Sequence, residues 1–329
     1  VRYVTTLLDL IRSQQSFLLT GHESPDGDCV GAQTALSHLL LSMGKTVHIV
    51  NPDPIASSFD FLTEHTSFAT AKNGDELPEF DVAVLLDCSQ LSRVGSLGQR
   101  IAARNKTIAV IDHHVGSEDG DGSVFYVDVT AAATGALIRR LYAELNVELT
   151  LPAAEGIFLS LVSDTGWFRY SNANAEVFSM AAELVALGVD SSSMYDAINR
   201  RNHKDSPRIL ADALLTSRLL LDGKLARLSL DKAMIERTSK ANFDTDVMME
   251  PLRSIGGVEV VALLKERFDG NVKCSLRARG DIDVQAIVSQ FGGGGHKKAA
   301  GATMMMRLAD AERAIHDAVQ QALVAQAGQ

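Results

Sequence analysis

Phe17-Leu-Leu-Thr20-Gly-His22-Glu-Ser-Pro25-Asp26-Gly27-Asp28-Cys-Val30 is the stretch whose reading decides the fold of this chain. An apolar, partly β-branched run enters a turn rich in acids, and an apolar stripe follows. Residues 17–20 therefore read as a buried strand. Val30, Leu36, Leu39, Leu40 and Met43 recur at helical spacing, with Gly44 placed as the stop. Residues 46–50, 82–86 and 107–111 are further short apolar runs separated by helix-length segments. Strands alternating with helices predict an α/β fold, a parallel sheet covered by helices on both faces. Ligands of such sheets bind beyond the carboxyl ends of the strands.

Acids and histidines gather at those ends. The run 17–20 leads into His22, Asp26 and Asp28; the run 82–86 ends in Asp87; the run 107–111 ends in Asp112-His113-His114. Asp164 follows the apolar helical run 154–162, within Ser163-Asp-Thr-Gly-Trp-Phe168. Two divalent cations ~3.5–4 Å apart need a bridging carboxylate and several more oxygen or imidazole ligands. Pro25 and Gly27 bend the first turn, so His22, Asp26 and Asp28 can be aimed together. Asp87, alone at a central strand end, is the natural bridge, and His113 and Asp164 complete a second set. Singly, each has a plainer explanation: Asp28 as a helix cap, Asp87 as a turn residue. All the segments together at strand ends favour a metal centre.

Beyond residue 184 the pattern loosens. The boundaries read as a first domain at 1–188, a polar linker at 189–205 and a smaller α/β domain at 206–329. The second part reads as a helix over 207–221, strands near 225–230, 258–265 and 272–277, and a helix near 284–290. A glycine loop at 292–295, a strand at 303–308 and a final helix follow. Gly292–Gly295 can bring backbone amides close to an anion. His296, Lys297 and Lys298 follow it, and Arg277 and Arg279 end the preceding strand. Arg277, Gly293, Gly294, Gly295, His296 and Lys298 are the candidate substrate contacts, since arginine matches phosphate in a bidentate way.

Composition narrows the substrate. The net charge is −10 and the isoelectric point near 5.4, whereas proteins gripping long nucleic acid usually carry the opposite balance. If the chain touches nucleic acid, the ligand should be a short single strand or small nucleotide held in a locally positive pocket, with no long duplex; no membrane partner is expected. Cys29, Cys88 and Cys274 give no disulfide framework, so a reducing cytoplasm is the expected compartment. Self-association as a homodimer is left open.

His22-x-x-x-Asp26-x-Asp28, Asp87, Asp112-His113-His114 and Asp164 resemble the four motifs of the DHH phosphoesterase superfamily. Gly292–Gly295 with His296-Lys-Lys-Ala-Ala-Gly301 is similar to the signature of its associated C-terminal domain. Ser163-Asp-Thr-Gly-Trp-Phe-Arg-Tyr-Ser171 looks most like the NrnA-type oligoribonucleases. The resemblance implies His22, Asp26 and Asp87 on one metal, and Asp28, Asp87, His113 and Asp164 on the other. It implies that Asp112 orients a histidine, that His114 faces the substrate phosphate, and that a substrate-binding domain lies across a cleft. Asp87, Asp112, His113 and His114 would be the catalytic set. The two metals would be Mn²⁺, with Mg²⁺ or Co²⁺ as alternatives. The implied activity is hydrolysis of short oligoribonucleotides to mononucleotides and of 3′-phosphoadenosine 5′-phosphate to AMP.

A phosphodiesterase of linear or cyclic dinucleotides would share every metal ligand and is the alternative. A non-catalytic nucleotide- or RNA-binding protein is a third reading, opposed by the mutual repulsion of unused clustered carboxylates. Gly44-Lys45-Thr46 is rejected as a phosphate-binding loop because Leu39 stands where a glycine is required. Arg200, Arg201, His203 and Lys204 read as a solvated linker cluster.

Overall fold

The computed structural model describes residues 4–71, 75–200, 203–240 and 245–327. Arg201 of the linker cluster lies outside them. The chain divides into two compact units, Val1–Arg201 and Asn202–Gln329.

In the first unit, α1 (Val4–Ser13) leads to β1 (Ser16–Thr20), α2 (Gly27–Ser42), β2 (Thr46–Asn51) and β3 (Phe68–Thr70). Then come β4 (Val82–Leu86), α3 (Gly95–Ala102), β5 (Thr107–Asp112) and β6 (Val124–Val127). Helices α4 (Thr134–Leu145), α5 (Leu151–Asp164), α6 (Ala175–Ala186) and α7 (Ser191–Asn199) complete it. The strands lie in the order β3-β2-β1-β4-β5-β6, and every pairing is parallel. The chain winds outward from β1 on one side and from β4 on the other. The topological switch point, where such sheets bind ligands, is thus between β1 and β4. The strands expected at 17–20, 46–50, 82–86 and 107–111 are all present; β3 and β6 are additional edge strands.

Both faces of this sheet are covered. Phe17, Leu19, Val84 and Ile111 pack against α2, α4 and α5, while Leu18, Leu85 and Val110 face Leu97 and Ile101 of α3. Helix α2 is buried along nearly its whole length because α5 crosses directly over it. A Cβ at Gly31 would stand 2.3 Å from the Gly156 carbonyl oxygen, so only glycine permits this approach. The contact presses the start of α2 and the end of α5, each carrying an acid, over the strand ends.

The second unit contains α8 (Ser206–Leu215), β7 (Arg218–Leu220), β8 (Leu225–Leu230), α9 (Lys232–Lys240) and α10 (Glu250–Arg253). It continues with β9 (Val260–Glu266), β10 (Val272–Ala278), α11 (Val284–Ser289), β11 (Gly294–His296), β12 (Ala299–Met304) and α12 (Leu308–Ala327). The sheet order is β11-β12-β10-β9-β8-β7, parallel only between β8 and β9 and antiparallel elsewhere. One face packs on α11 and α12, the other on α8, the short turn Thr245–Met249 and α10.

Three expectations change here. The helix read over 207–221 stops at Leu215, and β7 pairs with β8 instead. Thr216 Oγ donates to the carbonyls of Ala213 and Ser229, closing the helix and starting the hairpin. The strand read at 303–308 lies at Ala299–Met304, and Leu308 opens α12. Its alanines and glycine lack the bulk by which strands are recognised. Finally, Gly294 and Gly295 are not loop: they pair with Gly301 and Ala300 as an edge strand. No single helix among the described residues is long and apolar enough to cross a membrane.

Candidate metal centre

Each strand end of the first unit delivers one part of the site. After β1, His22 Nδ1 contacts the Glu23 carbonyl at 2.8 Å, which leaves Nε2 as the outward lone pair. Asp26 caps α2 by accepting from the amides of Asp28 at 3.0 Å and Cys29 at 3.1 Å, so the cap is Asp26 rather than Asp28. Asp28, in the first turn, is fully buried. After β4, Asp87 adopts φ 60°, a left-handed conformation that aspartate tolerates better than most residues. This turns its carboxylate back across the strand ends.

Asp87 reaches both sides. Its Oδ2 lies 3.5 Å from His22 Nε2, and its Oδ1 lies 3.6 Å from His113 Nε2. His113 Nε2 is also 3.0 Å from Asp164 Oδ2 and 3.3 Å from Asp28 Oδ2. Ligand atoms of His22, Asp26 and Asp87 lie within 4.8 Å of one another, as do those of Asp28, His113 and Asp164, and of Asp87, His113 and His114. The structure therefore brings together every residue expected at the metal centre.

A tightly hydrogen-bonded frame holds these acids. Asp28 accepts from the Thr134 amide at 2.9 Å, the Gly135 amide at 3.3 Å and Ser160 Oγ at 2.5 Å. The start of α4 thus points its free amides at a buried carboxylate, where the helix dipole favours negative charge. Thr134 Oγ donates to Asp87 Oδ1 at 3.2 Å. Asp112 accepts from the amides of His113 and His114, from His114 Nδ1 at 2.8 Å and from Ser117 Oγ at 2.6 Å. It fixes the ring of His114, whose side chain is 38% exposed and so remains open to a ligand. Asn172 Nδ2 ties the carbonyls of Ala132 and Asp164 together. Thr134, Gly135, Ser160, Ser117 and Asn172 escaped the sequence reading. The one available signal was Ser160, a lone hydroxyl in the apolar core of α5.

The electrostatics test whether cations fit. Burial, reinforced by the charge of Asp87, pushes the Asp28 carboxyl up to about 7. Asp26 and then Asp87 pull His22 up to about 10. Burial opposes charge on His113, but Asp164, Asp28 and Asp87 outweigh it and raise its pKa. Burial likewise opposes charge on Asp87, yet His113 and His22 hold it below the usual carboxylate range. The cluster demands positive charge. His113 Nδ1 approaches the Ala131 carbonyl, while its buried Nε2 has no aligned hydrogen bond amid three carboxylates. A ring nitrogen so placed holds positive charge, as a proton or in exchange for it a metal cation, and mixed imidazole and carboxylate donors suit a divalent ion.

The candidate substrate contacts lie in the second unit. In the sheet register Arg277 pairs with Ala299, and Ala299 with His296. Paired residues share a face, so Arg277 and His296 flank Ala299, ~10 Å apart across two strand spacings. The next row on that face is Ser275, Gly301 and Gly294, all small. Arg277 is 3.1 Å from Asp246, so an anion binding there competes with a carboxylate. Gly293 donates to the Val288 carbonyl, and a side chain at Gly295 would meet the Ala299 carbonyl oxygen at 2.6 Å. Lys298 Nζ donates to the Gly280 carbonyl.

A sheet wound about a β1/β4 switch point, with clustered histidines and aspartates there, is the arrangement of a phosphoesterase fold. The chain belongs to the DHH family: residues 16–189 match the DHH family, N-terminal domain, and residues 234–325 match the DHHA1 domain. It is 31% identical to the bifunctional oligoribonuclease and PAP phosphatase NrnA of Thermus thermophilus, over 86% of this chain and 82% of that protein. An exopolyphosphatase-related protein from Bacteroides fragilis has the same fold, with TM-score 0.86 at 24% identity over 97% of both chains. RecJ of Thermus thermophilus, solved with Mn²⁺, shares the fold with TM-score 0.54 at 16% identity, over 96% of this chain and 54% of that one.

Proposed function

We propose that this protein is a metal-dependent phosphoesterase that hydrolyses short oligoribonucleotides to mononucleotides and 3′-phosphoadenosine 5′-phosphate to AMP. The observation that carries this reading is the double reach of Asp87, one oxygen toward His22 and the other toward His113. The named activity of the Thermus relative supports the substrate class.

In this reading His22, Asp26 and Asp87 hold one divalent cation, and Asp28, Asp87, His113 and Asp164 hold a second, with Mn²⁺ the favoured metal. When bound, such a pair lowers the pKa of a water and neutralises charge on a phosphoryl group. The chain's own residues do the rest. Asp112 holds a proton on His114 Nδ1 and raises the pKa of the ring, so the protonated ring can donate from Nε2 to a substrate oxygen. Asp28 and Asp87 are held still by Thr134, Gly135 and Ser160, so little reorganisation accompanies the reaction. In the second unit Arg277 and His296 take a substrate phosphate.

The test is a substrate panel with Mn²⁺: RNAs of about two to twenty nucleotides, 3′-phosphoadenosine 5′-phosphate and cyclic dinucleotides. Turnover should be confined to the shortest RNAs and the mononucleotide, and be lost on chelation and in Asp87→Ala and His113→Ala. Unchanged turnover in both variants would contradict the assignment, and a preference for cyclic dinucleotides would redirect the substrate class.

A further inference from the structure

The hairpin joining β9 and β10 carries a feature that this chemistry leaves unused. It borders a cavity of about 730 Å³ whose wall includes Thr238, Thr245, Lys265, Arg267, Phe268 and Lys273. Lys265 and Lys273 are directly opposed in the strand register, so both ammonium groups leave the same face side by side. Like charges facing each other across a strand pair destabilise a sheet, and Arg267 adds a third cation. Glu266 and Asp269 line the same wall, so cations and acids are interleaved there.

The neighbouring acids offset two of the three cations, Lys265 through Asp246 and Arg267 through Asp269, and leave Lys273. Glu266 accepts from the Lys232 amide at 3.2 Å, and Asp269 accepts from the Asn271 amide at 3.0 Å while pairing with Arg267 at 3.4 Å. Lys265 donates to Thr245 Oγ at 2.7 Å and lies 3.7 Å from Asp246. Lys273 has no carboxylate partner among the described residues. Phe268 is 68% exposed, an aromatic face in water beside these cations.

We propose that this cavity is a second binding site for single-stranded oligonucleotide, with a backbone phosphate between Lys273 and its neighbouring cations and a base stacked on Phe268. Cationic grooves with aromatic platforms bind single strands in this way, without base preference. The Lys273 end of the site lies away from the Arg277–His296 row, with Asp246 between the two, 3.7 Å from Lys265 and 3.1 Å from Arg277. Lys273 and Arg277 are four residues apart on β10, ~13 Å, several times the ~3.4 Å rise between stacked nucleotides. The site should therefore matter for oligomers and not for a mononucleotide. This inference takes its ligand class from the nuclease reading above.

The experiment measures fluorescence anisotropy of labelled hexa-adenylate with the full chain in EDTA, so that binding is read without turnover. Lys273→Thr and Phe268→Ala should each weaken hexamer binding by about fivefold or more. Turnover of 3′-phosphoadenosine 5′-phosphate by the same variants in Mn²⁺ should stay within about twofold. Lys273→Thr should also raise the thermal midpoint by removing the opposed charge, which confirms that the variant folds. Unchanged hexamer affinity in the double variant would overturn the proposal, as would equal losses on the mononucleotide. Displacement of the hexamer by poly-aspartate as readily as by unlabelled RNA would also overturn it, in favour of an acidic-peptide site. Failure of the hydrolase reading would appear separately, as absence of Mn²⁺-dependent cleavage by the unaltered protein.

Discussion

Thr134 shows how much of the centre depends on residues that bind no substrate. Its amide supports Asp28 and its hydroxyl supports Asp87, so one residue steadies both carboxylates. Losing such a support typically lowers metal affinity by about 10- to 100-fold. Thr134→Val should therefore weaken Mn²⁺ binding by that factor in calorimetry, and Thr134→Ser should largely restore it. Equal affinity in Thr134→Val would mean that the hydroxyl is only packing. The acids and histidines themselves were legible because they stand where apolar strands end. Thr134 was not, because it looks like an ordinary helix residue, and Ser160 signalled only that a hydroxyl interrupts an apolar helix. Their partner Asp28 lies 106 and 132 residues away, a distance that no local pattern reports.

At the scale of elements, the central strands announced themselves through dense β-branched and aliphatic runs, because both faces of the sheet are covered. The edges did not. β11 and β12 are built from small residues whose sheet role lies in backbone pairing, and β7 was absorbed into the helix before it. One junction is open to a pH test. Arg140 of α4 bridges Asp128, at 2.5 Å, and Glu176 of α6, at 2.9 Å. Burial alone would raise the Asp128 pKa, but Thr130 and Arg140 overcome it and lower it to about 2. A depressed carboxyl contributes stability above its unfolded pKa of about 3.9 and loses it as pH falls toward the folded value. The stability difference between the unaltered protein and Arg140→Gln should therefore be full at about pH 5 and shrink toward pH 2 in denaturant melts. A difference that stays constant with pH would assign the effect of Arg140 to packing.

For the whole molecule, the proposed function divides two tasks between two units. The first gathers buried acids that call for cations, and the second carries arginines, lysines and glycines suited to phosphate. An acidic protein can act on an acidic polymer only if its positive charge is local, which is the role proposed for the Arg277 row and the β9–β10 hairpin. The central claim remains the shared carboxylate of Asp87. Its most direct test is the electron paramagnetic resonance spectrum of the protein loaded with Mn²⁺. The expected result is two ions per chain with an exchange-coupled spectrum, as for metals ~3.5–4 Å apart, and loss of that coupling in Asp87→Asn. A single uncoupled ion in the unaltered protein, or a coupled pair that survives Asp87→Asn, would contradict it.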